Sequence, residues 1–256
     1  MSRLRALFDG ARHRLSMRHW AGLHARADTL SPAELARLRG RAKALGRATN
    51  RFAQKAETRL SGSADMSHGA QLDKRATWTF RPAAWSHAMT PIGHAPALPK
   101  SRLAEGVTLH HDCARNDISV RQIRNRQGQG GAPYGISFET LDFSGSFLST
   151  AIELPDVARQ NLAKTDLFRL RTHVQVETPL TIFARINVRH GPNIDEIIRT
   201  IDLAQPDSTV AFDLFYTDVE PDKVTDIWLD FICEKPVMNR ISVHDLVVSR
   251  QPRASV

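Results

Sequence analysis

Cysteine is nearly absent. Two thiols in 256 residues, Cys113 and Cys233, are too few and too far apart for a disulfide framework or a Cys-x-x-Cys metal clip. They read as buried, reduced side chains of a cytosolic protein. Long apolar runs are also missing: none approaches the ~20 residues a helix needs to cross a bilayer. The N-terminus has arginines but no apolar stretch ahead of a small-residue cleavage site, which argues against a secretory signal. Its acid-poor, Arg-rich look suits an organellar transit peptide, yet the helical pattern runs well beyond the usual length of one. There is no GxSxG, GxGxxG or P-loop; "GQGGAP" (128–133) lacks both the lysine and the following helix. No cofactor is implied.

What is present is an apolar fraction of 41%, enough to bury a core, and a net charge of +8 that is unevenly spread. Residues 1–62 hold 14 Lys and Arg against 4 Asp and Glu, a net of +10, whereas the rest holds 21 against 23. An electrostatic partner therefore belongs to the N-terminal segment. That segment reads as helical. In "LSPAEL", Ser31 is the N-cap, Pro32 the first helical residue and Glu34 the reciprocal member of a capping box. Leu35, Leu38, Ala42, Leu45, Thr49, Phe52 and Ala56 then recur at alternating spacings of three and four, a narrow apolar seam. Arg37, Arg41, Arg47, Arg51 and Lys55 lie off the seam as candidate docking residues. An earlier helix spans about 3–27, and the two form a hairpin or lie separately on a partner.

Three regions follow: a basic helical extension over 1–60, a small, polar linker over 61–76, and a β domain over 77–256. Within 76–106, a proline-rich stretch, Trp78, Phe80 and Trp85 are expected to pack on a sheet edge. Beyond it, ten short strands are predicted at 107–111, 117–123, 134–143, 146–154, 166–177, 180–190, 196–203, 209–217, 224–234 and 240–250, with one helical turn in "LPDVARQNLAKTD". Short strands without long intervening helices predict a mainly β chain: an antiparallel, jelly-roll-like β-sandwich. "FSGSF" reads as a hairpin turn at Ser144-Gly145.

"FRLRTHVQVE" (168–177) and "LTIFARINVRH" (180–190) both alternate strictly. Paired as a hairpin with apolar rows matched, they set Arg169, Arg171, His173, Phe183, Arg185, Asn187 and Arg189 in one outward row. Facing arginines repel, so solvent, nearby carboxylates, or an anionic or polyhydroxyl ligand must offset them. Guanidinium and amide groups suit carboxylate, phosphate or vicinal hydroxyls, and Phe183 can stack on a ring. The plain alternative is the wet face of a sandwich. Elsewhere, His110 and His111 fall on opposite faces of their strand, His244 and Asp245 on opposite sides of the last one, and no metal site results.

The stretch from "TWTFRPAAW" through "VTLHHDC", "SFLSTAIELP", "FARINVRHGPN", "FDLFYTD", "IWLDFICEKPVMNRISVHDL" and "RQPRA" resembles an uncharacterised alphaproteobacterial family, a domain of unknown function. That resemblance brings no activity or site. "FDLFYTD", "IWLDFICE" and "ISVHDLVVSR" together are similar to the closing strands of galactose-binding-like and carbohydrate-binding jelly rolls. The reading is of a non-enzymatic binding or adaptor protein with a polar Arg/Asn face. Candidate partners are a glycan or anionic small ligand at that face, and an acidic protein, an anionic membrane surface or nucleic acid at residues 1–60. The alternative is a carbohydrate-active or other hydrolytic enzyme using the same face. The expected location is cytoplasmic, with the inner face of a membrane as a place of attachment.

Overall fold

The computed structural model describes residues 3–64, 75–115, 117–126 and 131–253, and the chain divides into two units, Met1–Ala56 and Glu57–Val256. The first holds helix α1 (Arg3–Ala25), a 3-10 turn (Ala27–Thr29) and most of helix α2 (Pro32–Ala64), whose last residues, from Glu57, are counted with the second. The capping box forms: the Glu34 amide donates to Ser31 Oγ at 3.3 Å, and Ser31 Oγ and N donate to Glu34 Oε2 at 2.9 and 3.4 Å. These bonds hold the Glu34 carboxyl below its ordinary range. α2 runs to Ala64, past the end expected at 60. Residues 65–74, most of the expected linker, lie outside the described residues. Among the described residues α1 meets the turn after it rather than lying along α2, so the hairpin is not formed. No described helix is long and apolar enough to cross a membrane.

The second unit begins with β1 (Trp78–Phe80), helix α3 (Ala83–Ser86), β2 (Gly93–His94) and β3 (Ser101–Ala104). It continues through β4 (Val107–His111), β5 (Ile118–Arg124), β6 (Tyr134–Thr140), β7 (Phe147–Glu153), β8 (Asp166–Val176), β9 (Ile182–His190), β10 (Asn193–Thr200), β11 (Asp207–Asp213), β12 (Val224–Glu234) and β13 (Asn239–Pro252). All ten predicted strands form. β1, β2 and β3 lie in the stretch read as irregular; each spans two to four residues, too few for an alternation to register. Every pairing is antiparallel, in two sheets. One runs β11-β8-β13-β6-β5-β2 with β1 added on β13; the other runs β10-β9-β12-β7-β4-β3. The sandwich expected from the strand pattern is therefore the fold.

The core lies between the sheets. Leu170 and Val174 of β8, Ile136 and Phe138 of β6 and Ile241 and Val243 of β13 face Ile182, Ala184, Ile186 and Val188 of β9 and Leu229 and Phe231 of β12, all buried. Trp85 is buried beside them, its indole N–H donating to the Val243 carbonyl at 2.8 Å. The aromatics of 76–106 are expected on a sheet edge; Trp85 instead enters the core against β13, an interior strand, while Trp78 and Phe80 lie on β1, which pairs with β13. Cys233 belongs to the same core, and burial pushes its thiol up to about 12.

Two predicted hairpins are corrected. β8 pairs with β11 and β13, and β9 with β10 and β12, so the 168–177 and 180–190 segments lie in opposite sheets and do not pair with each other. Asn239 of β13 pins the corner between them, donating to the Thr178 carbonyl at 2.7 Å and accepting the Thr178 amide at 3.1 Å. Matching apolar rows is a requirement that two strands satisfy equally well when they face each other across the core. "FSGSF" likewise is a crossover from β6 in one sheet to β7 in the other. Phe143 is buried, and Asp112 accepts from the Ser146 and Phe147 amides and the Ser146 hydroxyl. A Cβ at Gly145 would strike Asp112 and the Cys113 amide, so only glycine fits that crossing.

Candidate functional site

On β9, the even-numbered residues face the core and Phe183, Arg185, Asn187 and Arg189 face outward. The neighbouring outward row of β12 supplies Trp228 opposite Asn187 and Asp230 opposite Arg185. Asp230 is the centre of this face. Its Oδ2 accepts from Arg185 Nε at 3.1 Å, Arg185 Nη2 at 2.8 Å and Asn187 Nδ2 at 2.9 Å, while Arg185 Nη1 reaches Glu196 of β10 at 3.2 Å. Asp230 and Asn187 are buried despite facing outward, which fixes both side chains. Arg189 sits over the Trp228 ring at 5.6 Å and reaches Asp226 only at 3.7 Å.

Beside Trp228 the sheet opens into a pocket of about 430 Å³. Its shape follows from local chain geometry. β7 ends at Glu153 and turns out through Leu154-Pro155 into a 3-10 turn, Asp156–Arg159. The Leu154 amide anchors that turn to the Ile227 carbonyl at 3.0 Å. β12 carries an extra residue, Thr225, at a β-bulge opposite β9, and Ala151 leaves room where a larger side chain would fill the hollow. The charged lining is Glu153, Asp156, Arg159, Arg189 and Asp226. Arg159 pairs with Asp156 at 2.8 Å and Arg189 lies near Asp226, leaving Glu153 as the carboxylate engaged by neither. The pocket is thus an aromatic surface with paired charges and a slight acidic excess.

The remaining predicted residues lie elsewhere. Arg169, Arg171 and His173 face outward from β8, on the other sheet, between β11 and β13. The seven residues expected in one row are therefore divided three and four between opposite faces. Arg171 approaches Asp245 at 3.8 Å, and His173 Nδ1 lies 3.0 Å from Asp207. Asp245 also accepts from Arg81 at 2.9 and 3.2 Å and from the Gly131 amide at 2.9 Å. His244 lies on the same side as Asp245, not opposite: a β-bulge between Val243 and Asp245 inserts one residue and turns both outward. His244 contacts Asn125 at 2.9 Å, Gln175 at 3.3 Å and the His173 ring at 5.6 Å. On α2, Arg37 and Arg41 are exposed, while the side chains of Arg47, Arg51 and Lys55 lie outside the described residues. Among the described residues no group of three or more His, Cys, Asp or Glu side chains is placed to hold a metal.

Sequence reasoning missed Glu153, Asp156, Arg159 and Asp226 as one set. Their common signal was weak: the Pro-Asp turn after a strand, and the Asp226, Trp228, Asp230 alternation. It also missed the buried Asp245 cluster, because a bulge reverses the alternation that the sequence displays.

Burial and the neighbouring His173 hold His244 below its ordinary value of 6.5. The unfolded chain therefore takes up this proton first as pH falls. The stabilisation from neutral His244 is complete above about pH 6.5 and is lost as pH falls toward the depressed folded value. Thermal or urea unfolding between pH 7.5 and 5 should show declining stability, and His244→Gln should flatten that decline.

No curated protein matches the chain significantly. Solved structures that resemble it include a tailspike protein of bacteriophage CBA120, with 12% identity and TM-score 0.40 over 56% of this chain and 19% of that one. A family 11 carbohydrate-binding module from Clostridium thermocellum shares 11% identity, TM-score 0.38, over 59% of this chain and 92% of that one. A xylan-binding domain from Paenibacillus barcinonensis shares 10% identity, TM-score 0.35, over 64% and 94%. Several of these structural neighbours are carbohydrate-binding modules, and likenesses this distant say nothing of a ligand for this chain. The family match, in contrast, covers residues 1–256, the full sequence: the chain belongs to DUF6478, a family of unknown function.

Proposed function

We propose that the sandwich is a non-enzymatic module that binds a neutral glycan on the outward face of β7, β9 and β12. The observation that carries this reading is the pocket beside Trp228, an indole surface ringed by two Arg–Asp pairs and Glu153. Such a lining suits a polyhydroxyl ligand. The indole packs the C–H face of a sugar ring, while carboxylates accept and guanidinia donate hydrogen bonds to hydroxyls. It does not suit a polyanion, which would meet Glu153 and find the arginines already engaged. The anionic ligand inferred from an unbroken arginine row loses its basis once that row is divided and Arg171, Arg185 and Arg189 each have a carboxylate nearby. Arg189, half exposed and loosely held, is the part that swings off Trp228 to admit a ring. Asn187, itself held by Asp230, donates to the Trp228 carbonyl at 3.4 Å and steadies the backbone that carries the indole.

The test is a glycan array on the full chain, followed by titration of the strongest neutral oligosaccharide with tryptophan fluorescence as readout. Trp228→Ala should weaken binding at least tenfold, about 1.4 kcal/mol, and Arg159→Ala by a smaller factor. Absence of any neutral glycan ligand, or equal affinity in Trp228→Ala, would refute the reading.

The charge asymmetry favours a second role for the N-terminal unit. A net of +10 over residues 1–62, with Arg37 and Arg41 exposed, suits salt-sensitive docking on an acidic surface, with an anionic membrane leaflet, an acidic protein or nucleic acid as candidates. In sedimentation with phosphatidylserine vesicles, the full chain should bind at low salt and release several-fold at about 0.3 M, where screening is within ~6 Å. Arg37→Glu/Arg41→Glu should bind less at both. Binding that ignores salt and charge reversal would count against docking through this face.

A further inference from the structure

We propose that α2 is a dimerisation helix, pairing with α2 of a second copy of this chain as a parallel, in-register, two-stranded coiled coil. Three observations converge on that occupant.

The first is the seam itself. Positions 35, 38, 42, 45, 49, 52 and 56 alternate spacings of three and four without a break, the two-in-seven stripe of a coiled coil. A helix lying on a sheet or in a lipid interface presents a broader apolar face. Beyond Leu35 the seam is also layered: Leu38, Leu45 and Phe52 at one core position alternate with Ala42, Thr49 and Ala56 at the other, so large layers are separated by small ones.

The second is exposure. Leu35, Leu45 and Phe52 stand 39%, 43% and 76% exposed, and α1 does not lie along them. The helix is 33 residues long and contains Gly40 and Gly46, each a weak helix former. A helix of this composition gains most of its stability from packing an apolar stripe, not from propensity.

The third is charge complementarity. In a parallel register, the residue just before one core position meets the residue just after the core position of the next layer in the second copy. Here Glu34 meets Arg39 of the second copy, and by symmetry the pair forms twice. Ser31 occupies Glu34 Oε2, which leaves Oε1 for that guanidinium. The next such pair sets Arg41 against Gly46, so no like charges oppose each other there despite the basic composition. Arg37, Lys43, Arg47 and Arg51 fall on the outer positions, where a dimer leaves them for the docking role. A dimer carrying two sandwiches would also engage a repeating polymer bivalently. That last consequence rests on the glycan reading; the dimer does not.

Light scattering of the full chain at about 50 μM, where a modest dimer is populated, should give twice the chain's 28.6 kDa mass. Leu45→Glu should return it to 28.6 kDa with the unfolding transition of the sandwich unchanged. Leu38→Cys should crosslink to its own counterpart on oxidation, because only a parallel, in-register pair brings the two positions together; both native thiols are buried. A parent chain that stays monomeric overturns the proposal, and a dimer in which Leu38→Cys fails to crosslink overturns the register. Leu45→Glu should lose roughly tenfold or more in binding to an immobilised polysaccharide but nothing for a soluble oligosaccharide. Loss of binding by the parent to both sugars would sink the glycan reading and leave the mass and crosslinking results standing.

Discussion

The inward-facing row of β9, Ile182, Ala184, Ile186 and Val188, is buried in the same core as Phe168, Leu170 and Val174 of β8, which belongs to the other sheet. Burial of these rows is the main favourable term for the sandwich, and it dictates everything on the outside. Once the even-numbered residues of both strands point inward, the odd-numbered ones must point outward, and because the strands belong to different sheets they point in opposite directions. A polar residue on one outer face then has no access to the other. Each face must settle its own charges.

Both faces do so around one buried carboxylate. Asp230 gathers Arg185 and Asn187 on the β9 side, and Asp245 gathers Arg81, Arg171 and the Gly131 amide on the β8 side. In each case a carboxylate taken from water is compensated by several donors, one of them a guanidinium. The faces differ in what lies beside the hub. Next to Asp245, Gly131, Ala132 and Asn125 are drawn onto the sheet by hydrogen bonds, and Asp245, His244 and Ala132 are buried. Next to Asp230 the chain turns away at Pro155, and a pocket opens with Trp228 on its wall. That difference is why a ligand is assigned to one face and a structural role to the other.

The strands were legible because alternation is local: each of the ten predicted segments carries its own period of two, and each forms. Helix α2 was legible for the same reason, since Ser31, Pro32 and Glu34 mark its start within four residues. The partner of each strand was not legible. Nothing local distinguishes a Phe168–Glu177 strand that turns back on its neighbour from one that pairs with β11 and β13, dozens of residues later, because both arrangements bury the same side chains. The site suffered accordingly. Arg185, Asn187 and Arg189 were found as an outward row, but joined to Arg169, Arg171 and His173, which the fold carries to the opposite side. The bulge at His244 hid the second hub, since an inserted residue breaks the alternation on which the reading depended.

The division of β8 and β9 between sheets is thus the claim on which the placement of both faces stands, and disulfide trapping tests it directly. Gln175 sits opposite Ser242 of β13 in the same sheet, whereas the hairpin alternative places Gln175 opposite Phe183. The account predicts that a Gln175→Cys/Ser242→Cys chain crosslinks internally and that a Gln175→Cys/Phe183→Cys chain does not, because outward residues of two sheets packed ~10 Å apart lie far beyond disulfide reach. A crosslink between positions 175 and 183, with none between 175 and 242, would contradict it.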